Sequence, residues 1–121
     1  MTEEEKKVQM LLKAVIFHYH GLDEAEKEDL ENTSQNLDAR AELDWALEFI
    51  SQDYITAFDR ARIYLNEIIG DYPKSKRIEL INTVWEANNL KGSVTEMEAT
   101  AMLKLAKDWG VENELISLVL H

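Results

Sequence analysis

A chain of 121 residues is long enough for one domain with its own hydrophobic core and no staples. It contains no Cys, which removes disulfides, thiolate metal sites and a Cys nucleophile, and its longest apolar run near the N-terminus, Ala14 to Phe17, is far too short to cross a bilayer. Thirteen basic against 24 acidic residues give a net charge of −11, a field that repels nucleic-acid phosphates and anionic membranes and suits a cation or a partner with a basic patch.

Four Gly, a single Pro, abundant Ala, Leu, Glu and Lys and no period-two alternation predict helices throughout. Thr2-Glu3-Glu4-Glu5 is a capping box with acids in the first turn. The helix it opens has Val8, Leu11, Leu12, Val15 and Tyr19 on one face and Met10, Ala14 and Phe17 on another, so it is expected to be buried on more than one side and to stop near Gly21. A second helix follows the Asp23/Glu26 cap and is expected to fade over Asn32–Asn36, poor helix material. Asp38 is the expected cap of a third helix, where Leu43, Ala46, Leu47 and Ile50 form a stripe that Ser51-Gln52-Asp53 ends.

Ile55, Phe58, Arg62, Leu65 and Ile69 make one row of a fourth helix, with Gly70 as its left-handed C-terminal residue. Pro73 suits the first turn of a fifth helix, which places Ile78, Ile81 and Trp85 on one face with Leu80, Val84 and Ala87 beside it. Thr95 caps a sixth helix carrying Met102, Leu105, Ala106 and Trp109, ended by Gly110, and a short seventh runs from Glu112 to Leu120. The expected fold is all-α: one domain over residues 1–121, a compact bundle of about seven helices. Because Met1-Thr2-Glu3-Glu4-Glu5 is acidic where a secretory leader is basic, a soluble, cytoplasmic protein is expected.

Two stretches repeat one helix–turn–helix pattern, Phe17 to Glu26 and Ala87 to Glu98. Each has an apolar helix, a Gly (Gly21, Gly92), an aliphatic residue (Leu22, Val94), an N-cap (Asp23, Thr95) and a Glu three positions later (Glu26, Glu98). This pattern resembles the TerB-like family, the tellurite-resistance-associated helical domains. Residues from about 76 to 115 fit best, and those from about 6 to 36 look like a first copy with a turn shorter by one residue.

The resemblance implies seven helices around two related hairpins. It also implies a non-enzymatic role in a bacterial stress or metal-response system. In that family an Asp precedes the turn Gly, and with the following Glu it forms an acidic site suspected of binding metal. Here His20 and Lys91 stand at those positions, and a lysine in place of a carboxylate argues against such a site in the second copy.

Glu26 and Glu98 have a plain role in reaching back to their own caps. If the repeat brings the two turns together, Glu26, Glu98, Asp23 and His20 could instead hold a divalent cation. His18 and His20 are two apart on a helix and cannot grip one metal together; they suit a helix C-terminus. In the acidic run Asp23–Glu31, Glu24, Glu28 and Glu31 offer either a solvated helix face or a docking face for a basic protein partner.

Lys74, Lys76 and Arg77 oppose the dipole at a helix start, which suggests an anion or acidic surface nearby. Trp45, Trp85 and Trp109 are expected in the core, and Arg62 either reaches the edge or pairs with a buried acid. No phosphate loop, nucleophile elbow or dinucleotide fingerprint is present, so no enzyme is expected. The expected function is an interaction module with an acidic binding surface; the alternative is a divalent-cation binder or sensor using the two turns.

Overall fold

The computed structural model describes residues 1–91 and 94–120, except for the side chains of His20 and Lys91. The turn predicted at Gly92-Ser93, and His121, lie outside the described residues. The chain is all-α, with seven helices and no strand among the described residues: α1 (Glu3–His20), α2 (Glu24–Leu37), α3 (Arg40–Ser51), α4 (Ala57–Ile69), α5 (Lys74–Asn88), α6 (Glu96–Trp109) and α7 (Glu112–Val119). Its contacts divide it into two compact units, Met1–Ala61 and Arg62–His121, with the division falling inside α4.

In the first unit α1 packs against both α2 and α3. Val8, Leu11, Leu12 and Val15 are buried, and so are Met10, Ala14 and Phe17, as the two apolar faces require. Tyr19 is 38% exposed and meets the Phe58 ring, 5.4 Å between centroids. Gly21 ends α1 with φ 103°; its N–H donates to the His18 carbonyl and the Leu22 N–H to Phe17. A Cβ there would meet nothing within 4 Å, so it is the dihedral alone that requires glycine.

Three expectations fail in this unit, each because a tertiary contact or a turn outweighs local propensity. The second helix does not fade at Asn32–Asn36 but runs to Leu37. Lys13 Nζ on α1 donates to Asp29 Oδ1 (2.7 Å) and Thr33 Oγ1 (3.0 Å), while the buried Ser34 hydroxyl donates back to the Glu31 carbonyl. Asp38 does not cap α3. It is the left-handed residue (φ 52°) that closes α2, with its N–H donating to Gln35 and the Ala39 N–H to Ser34, and Ala39 precedes α3 without a side-chain cap. Ile55 lies before α4 and is 94% exposed, in a turn where its N–H donates to Asp53 Oδ1.

Leu43, Ala46 and Ile50 bury the α3 stripe, and Leu47 stands at its edge. Trp45 is only half-buried, beside Phe49 and under the Lys7 ammonium, 5.2 Å from the ring centroid. Arg60 closes the end of α3: it donates to the carbonyls of Phe49 (2.9 Å) and Asp53 (2.8 Å) and stacks on the Phe49 ring.

In the second unit α5, α6 and α7 all pack on one another. Gly70 does not adopt the left-handed conformation; its N–H donates to the Asn66 carbonyl, and Asp71 and Tyr72 continue with tighter bonds to Ile68 and Ile69. Pro73 sits one residue before α5 as its cap position. The buried row of α5 is Leu80, Ile81, Val84, Ala87 and Asn88, so Ile78 and Trp85 stand at its margin and Trp85 is not a core residue. A 3-10 turn over Asn89–Lys91 follows. On α6 the predicted stripe Met102, Leu105, Ala106 and Trp109 is buried, and Gly110 closes the helix with φ 67°.

Candidate functional site: the capped turns and the acidic face

Both repeated turns open their second helix with a reciprocal capping box. The Asp23 N–H donates to Glu26 Oε1 (3.0 Å) and the Glu26 N–H to Asp23 Oδ1 (2.9 Å). In the other copy the Thr95 N–H donates to Glu98 Oε1 (3.1 Å) and the Glu98 N–H to Thr95 Oγ1 (3.2 Å). A third box, Thr2 with Glu5, starts α1 in the same way. The device therefore serves helix initiation wherever it occurs in this chain.

The copies differ in depth. Glu26 is fully buried (0% exposed), whereas Glu98 is half-buried. Asp23 and Glu26 are held together by the box in the first unit, and Glu98 is held to Thr95 in the second. The first copy turns on a left-handed Gly21 and a Leu22 that also has positive φ (48°). Among the described residues no group of three or more His, Asp or Glu side chains is placed to hold a metal ion.

The predicted docking carboxylates lie along α2. Only Glu26, Leu30 and Ser34 of that helix are buried. Glu24 and Glu28 are exposed, Glu24 lying 3.5 Å from Lys27 Nζ. Glu31 accepts from Arg40 Nη1 at 2.6 Å, and Arg40 Nε also reaches Asp44 (3.3 Å), so α2 and α3 share one exposed ion-pair chain. Six basic against fifteen acidic residues fall in Met1–Ala61, and seven against nine in Arg62–His121. The first unit thus holds most of the negative excess, and the exposed carboxylates of α2 lie within it, where salt screens them.

The cations at the start of α5 are used internally. Arg77 Nη1 donates to the Trp109 carbonyl (2.6 Å) and Nε to that of Tyr72 (3.2 Å), satisfying the C-terminal end of α6. Lys74 lies 3.8 Å from Glu114, and the Lys76 ammonium sits 4.7 Å from the Tyr72 ring centroid. Arg62 pairs with an acid rather than standing alone: Nε and Nη2 grip Asp108 (2.9 and 3.0 Å), and Asn66 Nδ2 donates to the same carboxylate. Burial raises the Asp108 pKa, but the hydrogen bonds from Arg62 and Asn66 and the Arg62 charge outweigh it and hold the carboxyl below its ordinary value.

Two surface features escaped the sequence reading. One is a cleft between α1 and α3; the other is an apolar groove between α6 and α7 where Leu103, Ile116, Val119 and Leu120 are exposed. Neither leaves a short motif: the cleft draws on α1, α3 and the turns after each, and the groove on residues that read as ordinary helix stripe. No helix among the described residues is long and apolar enough to cross a membrane. Comparison of the chain with protein-family models, with curated proteins and with solved structures finds no match in any of the three.

Proposed function

We propose that this chain is a non-enzymatic, TerB-like interaction module of a bacterial stress or metal-response system, which binds a protein partner with a basic surface through the acidic face of its first unit. The observation that carries the reading is the charge placement. Fifteen acidic and six basic residues fall in Met1–Ala61, and α2 turns Glu24, Glu28 and Glu31 outward while burying only three of its residues. A face of this kind supplies encounter rate and selectivity more than raw affinity, and it acts best at low ionic strength. The family assignment rests on the repeated Gly–aliphatic–cap–Glu pattern of the sequence.

The test is affinity capture from a bacterial lysate with the wild-type chain and with a Glu24→Gln/Glu28→Gln/Glu31→Gln variant. The reading expects a defined partner that is released by raised salt and is missing from the variant. A partner set unchanged by the variant and insensitive to salt would sink it. The same reading expects a thermal midpoint indifferent to chelator and to added calcium, manganese or zinc. A saturating rise with one ion, lost in Glu26→Gln/Glu98→Gln, would replace it with the cation-binding reading.

A further inference from the structure

The cleft between α1 and α3 has a volume of about 350 Å³, at the small end of the range for ligand pockets. Leu22 and Leu47 give it apolar walls, and Asp44 and Glu48, one helical turn apart on α3, bring two carboxylates to one side. Its end is closed by His18 and Tyr54: His18 Nε2 donates to the Tyr54 carbonyl (3.3 Å), and the two rings lie 5.1 Å apart. Tyr54 is 60% exposed and Leu47 38%, so an aromatic and an aliphatic surface both face the opening.

The two carboxylates are not equivalent. Asp44 is engaged by Arg40 at 3.3 Å, whereas Glu48 has no ion-pair partner among the described residues. Apolar walls, one uncompensated carboxylate, a second beside it and an exposed ring complement one kind of group. That group has an aliphatic stem, which the leucines take from water, and a cationic head, which the carboxylates and the Tyr54 face attract. A divalent ion would leave the apolar walls unused, and an anion would be repelled by Asp44, Glu48 and the surplus of acids in the unit.

We infer that the α1–α3 cleft binds an alkylammonium or alkylguanidinium group. It does not depend on the α2 face or on the family assignment. The group is either a Lys or Arg side chain in a peptide or a free aliphatic amine.

The test is an NMR titration of the intact chain, following the backbone amides of Leu22, Ser51 and Tyr54. The probes are N-acetyl-lysine amide, N-acetyl-arginine amide, butylamine, a Gly-Arg-Gly peptide and the uncharged N-acetyl-norleucine amide. Saturable shifts confined to the cleft are expected with the cations and none with norleucine. In Glu48→Gln, an exposed substitution, binding should weaken about fivefold, as loss of one exposed ion pair implies. Stronger binding of Gly-Arg-Gly than of butylamine assigns the site to a peptide side chain, and the reverse order assigns it to a free amine. Equal shifts with norleucine, or unsaturating shifts spread over the whole acidic surface, would overturn the inference. So would unchanged binding in Glu48→Gln when its amide spectrum matches wild type away from the cleft.

Discussion

The guanidinium of Arg77, in the first turn of α5, donates to the backbone carbonyl of Trp109 at the last residue of α6, 2.6 Å away. A cation that opposes one helix dipole locally thus completes another, whose C-terminal carbonyls lack intrahelical donors. Arg60 does the same for α3 in the first unit, through the carbonyls of Phe49 and Asp53. Each unit thus has a helix end closed by an arginine of another helix, from the next one along the chain in the case of Arg60 and from 32 positions away in the case of Arg77.

Arg77→Met should therefore destabilise the chain by about 1.5–3 kcal/mol, the range for losing hydrogen bonds to a charged group. Arg77→Lys should recover only part, since an ammonium cannot span the Trp109 and Tyr72 carbonyls with a fixed fork. Urea midpoints read the difference. Equal stability of Arg77→Met and wild type would show that water serves the α6 carbonyls as well.

The Arg62–Asp108–Asn66 cluster links stability to acid. Because the Asp108 carboxyl is held below its ordinary value, its contribution is complete above the unfolded Asp range and is lost as pH falls through the folded value. The side chains are 27% and 20% exposed, so the pair is worth about 1 kcal/mol rather than the full value of a dry contact. Asp108→Asn should lower the urea midpoint at neutral pH and converge with wild type in strong acid. A constant gap across that range would mean that packing, not the charge, is being measured.

Gly21→Ala tests the backbone alone, since a Cβ there has nothing to strike but φ is 103°. A cost of about 1–2 kcal/mol is expected, because an L residue pays that for the left-handed side of the map. Thermal unfolding measures it, and a neutral Ala would mean that the turn relaxes to a different closure.

Glu26→Ala should cost about 1–2 kcal/mol and Glu26→Gln distinctly less, since glutamine keeps an acceptor for the Asp23 N–H. Glu98→Ala should cost less than Glu26→Ala, because Glu98 is half-buried and water can replace what it loses. Chemical unfolding of the three variants checks the ranking. The reverse order would mean that burial of Glu26 does not deepen its role.

What the residues decide alone is the helical class, six of the seven helix starts to within a residue or two, the three capping boxes and the stripe of α6. These are local properties: a cap and its Glu lie three apart, and a stripe repeats within one helix. Tertiary structure decides the rest. Lys13 carries α2 through a polar stretch that is poor helix material, Asp38 serves the helix it ends rather than the one it precedes, and Trp85 is turned to the edge of its row. Arg62 and Arg77 find Asp108 and the Trp109 carbonyl, residues more than thirty positions away, and the cleft between α1 and α3 exists only where Leu22 and Glu48 are brought to face one opening. A long side chain's partner and a cavity's walls are set by which helices pack together, and no spacing within a single helix encodes that.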